Sequence, residues 1–303
     1  MISQPSTPLQ HVLEFRNVSI AFGDKPALVD ISFQLYQGEM IFLSGESGSG
    51  KSVLLRLAMG LLKPDAGQIF VGDREIETLG ESDLLAIRGG LMGMVFQDDS
   101  LFTGLSVYDN AAYRLEEHGW TEQNIHKAVT EVLHFVGLDG EEKKLPEQLS
   151  GGLKRRREIA RALIGWPSIM LFDEPTMSLD PIVAVQVLDL IIRARDINQI
   201  SSIYVTKKPF EIPYLTNYTA LEKDKQGIMI CEAPLDRLPK TRIMVLESGK
   251  IAFTGSLADF QACDLRIVKR LLILDQHDHS ADPYFADPWD KSRQPRQKLL
   301  RGG

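Results

Sequence analysis

The chain has 303 residues, 44% apolar and 25% charged, the balance of a folded globular protein rather than a disordered one. Its net charge of −7 argues against a nucleic-acid binder, which needs a basic footprint on phosphate. Two cysteines, Cys231 and Cys263, are too few for a disulfide scaffold; no run of ~18 apolar residues reads as a membrane span, and the first residues lack the pattern of a signal peptide.

In chain order, residues 13–35 predict strand, turn, strand, with Val18-Ser19-Ile20-Ala21-Phe22 entering the turn signal Gly23-Asp24-Lys25-Pro26. Met40-Ile41-Phe42-Leu43-Ser44 is apolar enough for a buried parallel strand, and a helix is predicted over 53–62, before Pro64. Residues 121–136 form an amphipathic helix with Ile125, Val129, Val132 and Val136 on one stripe, Thr121 as cap and Gly137 as stop. Strands at 168–172 and 203–205 flank a helix at about 182–195, an alternation that predicts a parallel sheet with helices on its faces. A late hairpin follows over 242–246 and 251–254. Residues 222–240 are polar without clear periodicity and read as an inserted loop. Residues 275–303 read as a tail without its own core.

Three motifs carry the chemistry. Gly45-Glu46-Ser47-Gly48-Ser49-Gly50-Lys51-Ser52 fits G-x-x-x-x-G-K-[ST], in which glycines let successive N–H groups face phosphate oxygens at a helix N-terminus. Lys51 would neutralise the β- and γ-phosphates, and Ser52 would offer a hydroxyl to Mg²⁺. Ile169-Met170-Leu171-Phe172-Asp173-Glu174 is an apolar strand ending in two carboxylates: Asp173 for the metal, Glu174 to orient and polarise the attacking water. Leu149-Ser150-Gly151-Gly152, just before a helix, is a second anion site, useful only against a nucleotide held by another protomer.

Together these motifs resemble ABC-type ATPases, over roughly residues 13–260. The resemblance implies a P-loop NTPase of α/β class: a parallel-sheet core, an antiparallel β subdomain and an α-helical subdomain. The expected ATPase domain spans 11–262, with its helical subdomain at about 98–165, the inserted loop at about 222–240, and a C-terminal helix and extended tail over 263–303. Gln97, in Val95-Phe96-Gln97-Asp98, matches the glutamine loop that senses Mg²⁺ and faces the membrane partner. Ser178-Leu179-Asp180 matches the loop that crosses to the opposite protomer. Phe22 stands where the family stacks an aromatic on adenine, though core packing fits a strand aromatic nearly as well. Phe96 to Thr103, then Ser106-Val107-Tyr108-Asp109-Asn110, is similar to the ATPases of Mla/Mce-type lipid transporters.

That resemblance implies a homodimer sandwiching ATP and Mg²⁺, docked through residues 97–108 on integral membrane permease subunits. It places the chain peripherally on the cytoplasmic face of the inner membrane, with a periplasmic Mce-domain protein reached through the permease. An importer ATPase for another substrate class is the alternative.

Two departures stand out. The family has a histidine after the strand that follows the catalytic glutamate, where this chain has Lys207 and then Lys208. Lys207 either substitutes electrostatically, the reading preferred here, or leaves an ATP-gated clamp with weak hydrolysis. Leu153 replaces the glutamine that ends the family's signature. The run Lys154-Arg155-Arg156-Arg157 reads as a solvated helix face. Tyr284, Phe285 and Trp289 in the tail suit docking on a partner surface.

Overall fold

A computed structural model describes residues 10–97, 102–223, 227–234 and 238–278. The chain opens with two long strands, β1 (His11–Phe22) and β2 (Lys25–Tyr36), joined by the tight turn at Gly23-Asp24. They pair antiparallel with Leu13 opposite Leu35 and Phe22 opposite Lys25. Then come β3 (Met40–Gly45), α1 (Lys51–Ala58), β4 (Ala66–Val71), β5 (Arg74–Glu75), α2 (Glu81–Gly90) and β6 (Met92–Val95). A run of helices follows: α3 (Val107–Glu117), α4 (Glu122–Val136) and α5 (Gly151–Leu163). The chain then returns through β7 (Ile169–Asp173), α6 (Pro181–Ile197), β8 (Ser201–Val205) and α7 (Glu211–Asn217). It continues with β9 (Tyr218–Lys223), β10 (Gly227–Glu232), β11 (Thr241–Glu247), β12 (Lys250–Gly255), α8 (Leu257–Ala262) and α9 (Arg266–Asp278).

Among the described residues the strands form three sheets: an antiparallel one ordered β2-β1-β4-β5, a hairpin of β9 and β10, and a six-stranded sheet ordered β12-β11-β3-β8-β7-β6. In the last, all neighbours are parallel except β11 and β12. β3, β7 and β8 are buried at every position, because both faces of this sheet are covered. Side chains alternate between two cores, as the period of two requires. Ile41, Leu43, Leu171 and Val205 pack with the antiparallel sheet and α1. Met40, Phe42, Met170, Phe172 and Tyr204 pack with the helices. The C-terminal ends of β3, β7 and β8 therefore lie side by side, with Leu43 opposite Val205 and Val205 opposite Asp173. In an open parallel sheet that edge is where ligands collect.

Two expectations are corrected. Residues 222–240 are not simply an inserted loop. Lys223 to Tyr218 pairs in register with Gly227 to Glu232, and the hairpin buries Ala220 and Ile230 in the main core. The range 222–240 takes in the last two residues of β9 and all of β10. Nor is 154–157 a solvated face: Arg157 is fully buried and Arg155 nearly so. α5 is packed by α3, α4, α6 and β6, so little of its circumference is left to water. Asp98 to Leu101 and the tail aromatics Tyr284, Phe285 and Trp289 lie outside the described residues.

The segment after the glutamine is held from within. Ser106 and Asp109 cap α3 reciprocally. Asn110, fully buried, accepts from the Phe102 amide at 3.0 Å and donates to the carbonyls of Phe102, Leu105 and Ser106.

Candidate nucleotide site

The loop between β3 and α1 is shaped by backbone that only glycine accommodates. Gly45 has φ 145, and a Cβ there would sit 2.3 Å from the Leu246 carbonyl oxygen. Gly50 has φ 103, and its Cβ would meet the Ala27 carbonyl oxygen at 2.7 Å. Lys51 opens α1 and is 5% exposed. Its ammonium donates to the carbonyls of Gly45 at 2.7 Å and Glu46 at 2.8 Å, with Ser49 Oγ at 3.4 Å. Burial pushes the Lys51 ammonium down to about 8, partly offset by the charges of Glu174 and Asp173. A buried cation at the N-terminus of a helix suits an anion such as phosphate.

Asp173 ends β7 and is nearly buried. Burial holds its carboxyl above the usual range, against the opposing influence of the Ser52 hydroxyl. Asp173 Oδ1 has no hydrogen-bond partner among the described residues. An orphaned carboxylate oxygen beside a hydroxyl suits a hard divalent cation taking oxygen ligands, so Ser52 and Asp173 could hold Mg²⁺.

Glu174 follows with φ 50, its amide bonded to the Val205 carbonyl at 3.1 Å. One carboxylate oxygen pairs with Lys207 Nζ at 2.8 Å; Glu174 is buried and Lys207 half-exposed. The position expected to hold a histidine thus presents an ammonium to the carboxylate.

The side-chain amide of Gln97 donates to Met177 Sδ at 3.3 Å, and the Met177 amide in turn bonds the Glu174 carbonyl at 3.0 Å. Its carbonyl and that of Phe96 accept from Arg155, at 3.4 Å and 2.9 Å, and Arg155 is paired with buried Glu158. Charge composition alone hid this strut from α5 to the glutamine loop. Phe22, at the end of β1, is 53% exposed, which removes core packing as its role. Ser150 caps α5, its hydroxyl accepting from the Leu153 amide, and leaves Gly151 exposed beside it. Gly152 is required by proximity: a Cβ would meet Val183 of α6 at 2.7 Å. Asp180 caps α6 by accepting from the Val183 amide at 3.0 Å. One further contact had no sequence signal: Arg270 on α9 pairs with Glu46 of the phosphate loop at 2.9 Å.

A family model described as ABC transporter matches residues 28–177. The methionine import ATP-binding protein of Leifsonia xyli is 36% identical, over 81% of this chain and 66% of that one. The intermembrane phospholipid transport ATP-binding protein of Haemophilus influenzae is 34% identical, over 72% and 83%. The chain belongs to the ABC transporter family. A dimeric structure of an ATP-binding cassette in a post-hydrolysis state, bound to ADP and phosphate, matches with a TM-score of 0.67 and 25% identity, over 81% of this chain and 98% of that one. The fold is that of the ABC cassette, and ATP is the nucleotide and ATPase the enzyme class that go with the family. No helix among the described residues is long and apolar enough to cross a membrane.

Proposed function

We propose that this chain is the ATP-hydrolysing subunit of a phospholipid transporter, bound to permease subunits on the cytoplasmic face of the bacterial inner membrane. The observation that carries the hydrolytic part is the cluster at the sheet edge: buried Lys51, buried Asp173 with its Oδ1 unpartnered among the described residues, and Glu174 paired with Lys207 at 2.8 Å. Two copies sandwich two ATP molecules, each between one protomer's Gly45 to Ser52 and its partner's Ser150-Gly151-Gly152, with Phe22 against the adenine and Asp180 in the crossing loop. Ser52 and Asp173, with Gln97 of the glutamine loop, would hold Mg²⁺, which would supply positive charge against the β- and γ-phosphates. Glu174 orients the water. Lys207 fixes that carboxylate and brings positive charge toward the γ-phosphate, where charge accumulates in phosphoryl transfer.

Coupling to the membrane runs through the surface after Gln97. Phe102 and Tyr113 are both partly exposed and meet edge to face at 5.0 Å, with Arg161 over the Phe102 ring. Such an aromatic patch suits a short helix of a permease. A periplasmic Mce-domain protein is reached through that permease. The phospholipid assignment is supported by the Haemophilus relative, 83% of whose length is matched. The Leifsonia relative favours a second reading, amino-acid import.

The test is the chain purified with the permease that co-purifies with it and reconstituted in vesicles. Hydrolysis should fall by about 10²- to 10⁴-fold in Glu174→Gln. ATP should drive transfer of a fluorescent phospholipid between vesicles. ATP-driven methionine uptake without lipid transfer would select the second reading, and hydrolysis unchanged in Glu174→Gln would overturn the catalytic assignment.

A further inference from the structure

One buried carboxylate behind the catalytic edge has no place in that mechanism. Glu211, at the start of α7, is 1% exposed. Its Oε2 accepts hydroxyl hydrogen bonds from Tyr204 at 2.8 Å and Thr206 at 2.7 Å, and its Oε1 accepts one from Thr176. The donors come from two separate strand exits. Thr176 stands two residues after Glu174, and Thr206 directly precedes Lys207. Lys208 closes the cage, its ammonium donating to the Thr176 carbonyl at 3.1 Å and its amide to Thr206 Oγ1 at 2.9 Å. The Thr206 hydroxyl thus accepts from Lys208 while donating to Glu211.

A carboxylate taken out of water is expensive, and a core apolar residue would fill this position without that desolvation. Its hydrogen bonds are arranged for a different result. They tie the β7 exit to the β8 exit through Thr176, two residues after Glu174, and Thr206, directly before Lys207, beyond the Glu174 amide–Val205 carbonyl bond. Burial pushes the Glu211 carboxyl up, against the hydrogen bonds from Thr176, Thr206 and Tyr204 and the charge of Lys208. Three hydroxyl donors and one nearby ammonium are all suited to the ionised form.

We propose that Glu211 is a positioning residue for ATP hydrolysis, clamping the loop that carries Glu174 to the loop that carries Lys207 through Thr176 and Thr206. The proposal rests on the reading of Glu174 and Lys207 as the hydrolytic pair. Glu211 touches neither, nor the nucleotide site. It sets their separation and the direction of the Glu174 carboxylate. Misplacement of a reacting group by an ångström can cost ~10²-fold in rate, so the clamp bears on turnover rather than on nucleotide affinity.

The experiment compares Glu211→Gln, Glu174→Gln and the double variant in the full chain, with ATP and Mg²⁺. Glu211→Gln keeps the shape but replaces one acceptor oxygen with an amide donor. Its kcat should fall about 10- to 100-fold while KM for ATP stays within about threefold. In the Glu174→Gln background it should lower kcat no further, because its effect passes through Glu174. Amide exchange should quicken over 174–178 and 206–208 and not in α1. Thr176→Val, which removes one donor at nearly constant shape, should give the same kcat loss and exchange pattern if Glu211→Gln fails to fold. Unchanged kcat with unchanged exchange, a loss carried by KM, or losses that multiply in the double variant would overturn the clamp. Full activity in Glu174→Gln would instead overturn the hydrolytic reading, and the exchange pattern would then decide whether Glu211 joins the two loops.

Discussion

Lys51 makes nucleotide binding depend on pH in a window where a surface lysine would not titrate. Burial lowers its ammonium from 10.5 to about 8. Phosphate oxygens favour the charged form, so ATP binding raises that value again and takes up a proton wherever free Lys51 is neutral. The sign follows: affinity is full below pH 8 and weakens as pH rises above it. For a group titrating at about 8, the charged fraction falls about tenfold between pH 7 and pH 9, so Kd for ATP should rise about tenfold over that interval. Calorimetry at pH 9 in two buffers of different ionisation enthalpy should report close to one proton taken up per ATP. The Lys51→Met variant should bind more weakly at pH 7 and show no such slope. A Kd constant from pH 7 to pH 9 would refute the reasoning, as would the same slope in Lys51→Met, which would place the titration elsewhere.

Three further outcomes follow from geometry. Gly152→Ala puts a methyl 2.7 Å from Val183 Cγ1 and should destabilise the chain by about 1–3 kcal/mol in denaturant unfolding; Val183→Ala in the same chain should restore most of the loss. Arg155→Met removes the Arg155–Glu158 ion pair and frees the carbonyls of Phe96 and Gln97, and should lower the Tm of the chain. Lys207→Met takes the half-exposed partner from buried Glu174 and should lower the ATPase rate at saturating ATP; an unchanged rate would show that this ammonium does not act on the carboxylate.

The phosphate loop and the strand ending in Asp173-Glu174 were legible because their chemistry is local. Gly45 and Gly50 sit where no side chain fits, and an apolar strand followed by two acids needs no distant partner to be recognised. The helix over 121–136 was legible for the same reason, its stripe, cap and Gly137 stop all falling within one window. What stayed hidden depends on contacts across the sequence. Glu211 looks like any exposed acid until the parallel pairing of β7 with β8 brings Thr176 and Thr206 to it. Arg155 and Arg157 sit in a run of charges whose composition suggests solvent, and only the crowding of α5 on several sides buries them. The β9–β10 pairing stayed hidden because residues 222–240 are polar without clear periodicity, so β10 carries no alternation that marks a strand.

The contact between Arg270 and Glu46 joins the last described helix to the first catalytic loop. A protein ordinarily frays from its termini inward, with the active site insulated by the length of chain between. Here the insulation is bypassed. Loosening of α9 would remove a half-exposed ion pair from the glycine-rich loop, and a ligand that stiffens the loop would stiffen the helix in return. Fluorophores on α9 would therefore register nucleotide binding from outside the site, and a fusion that loads the chain beyond α9 would be felt where ATP binds.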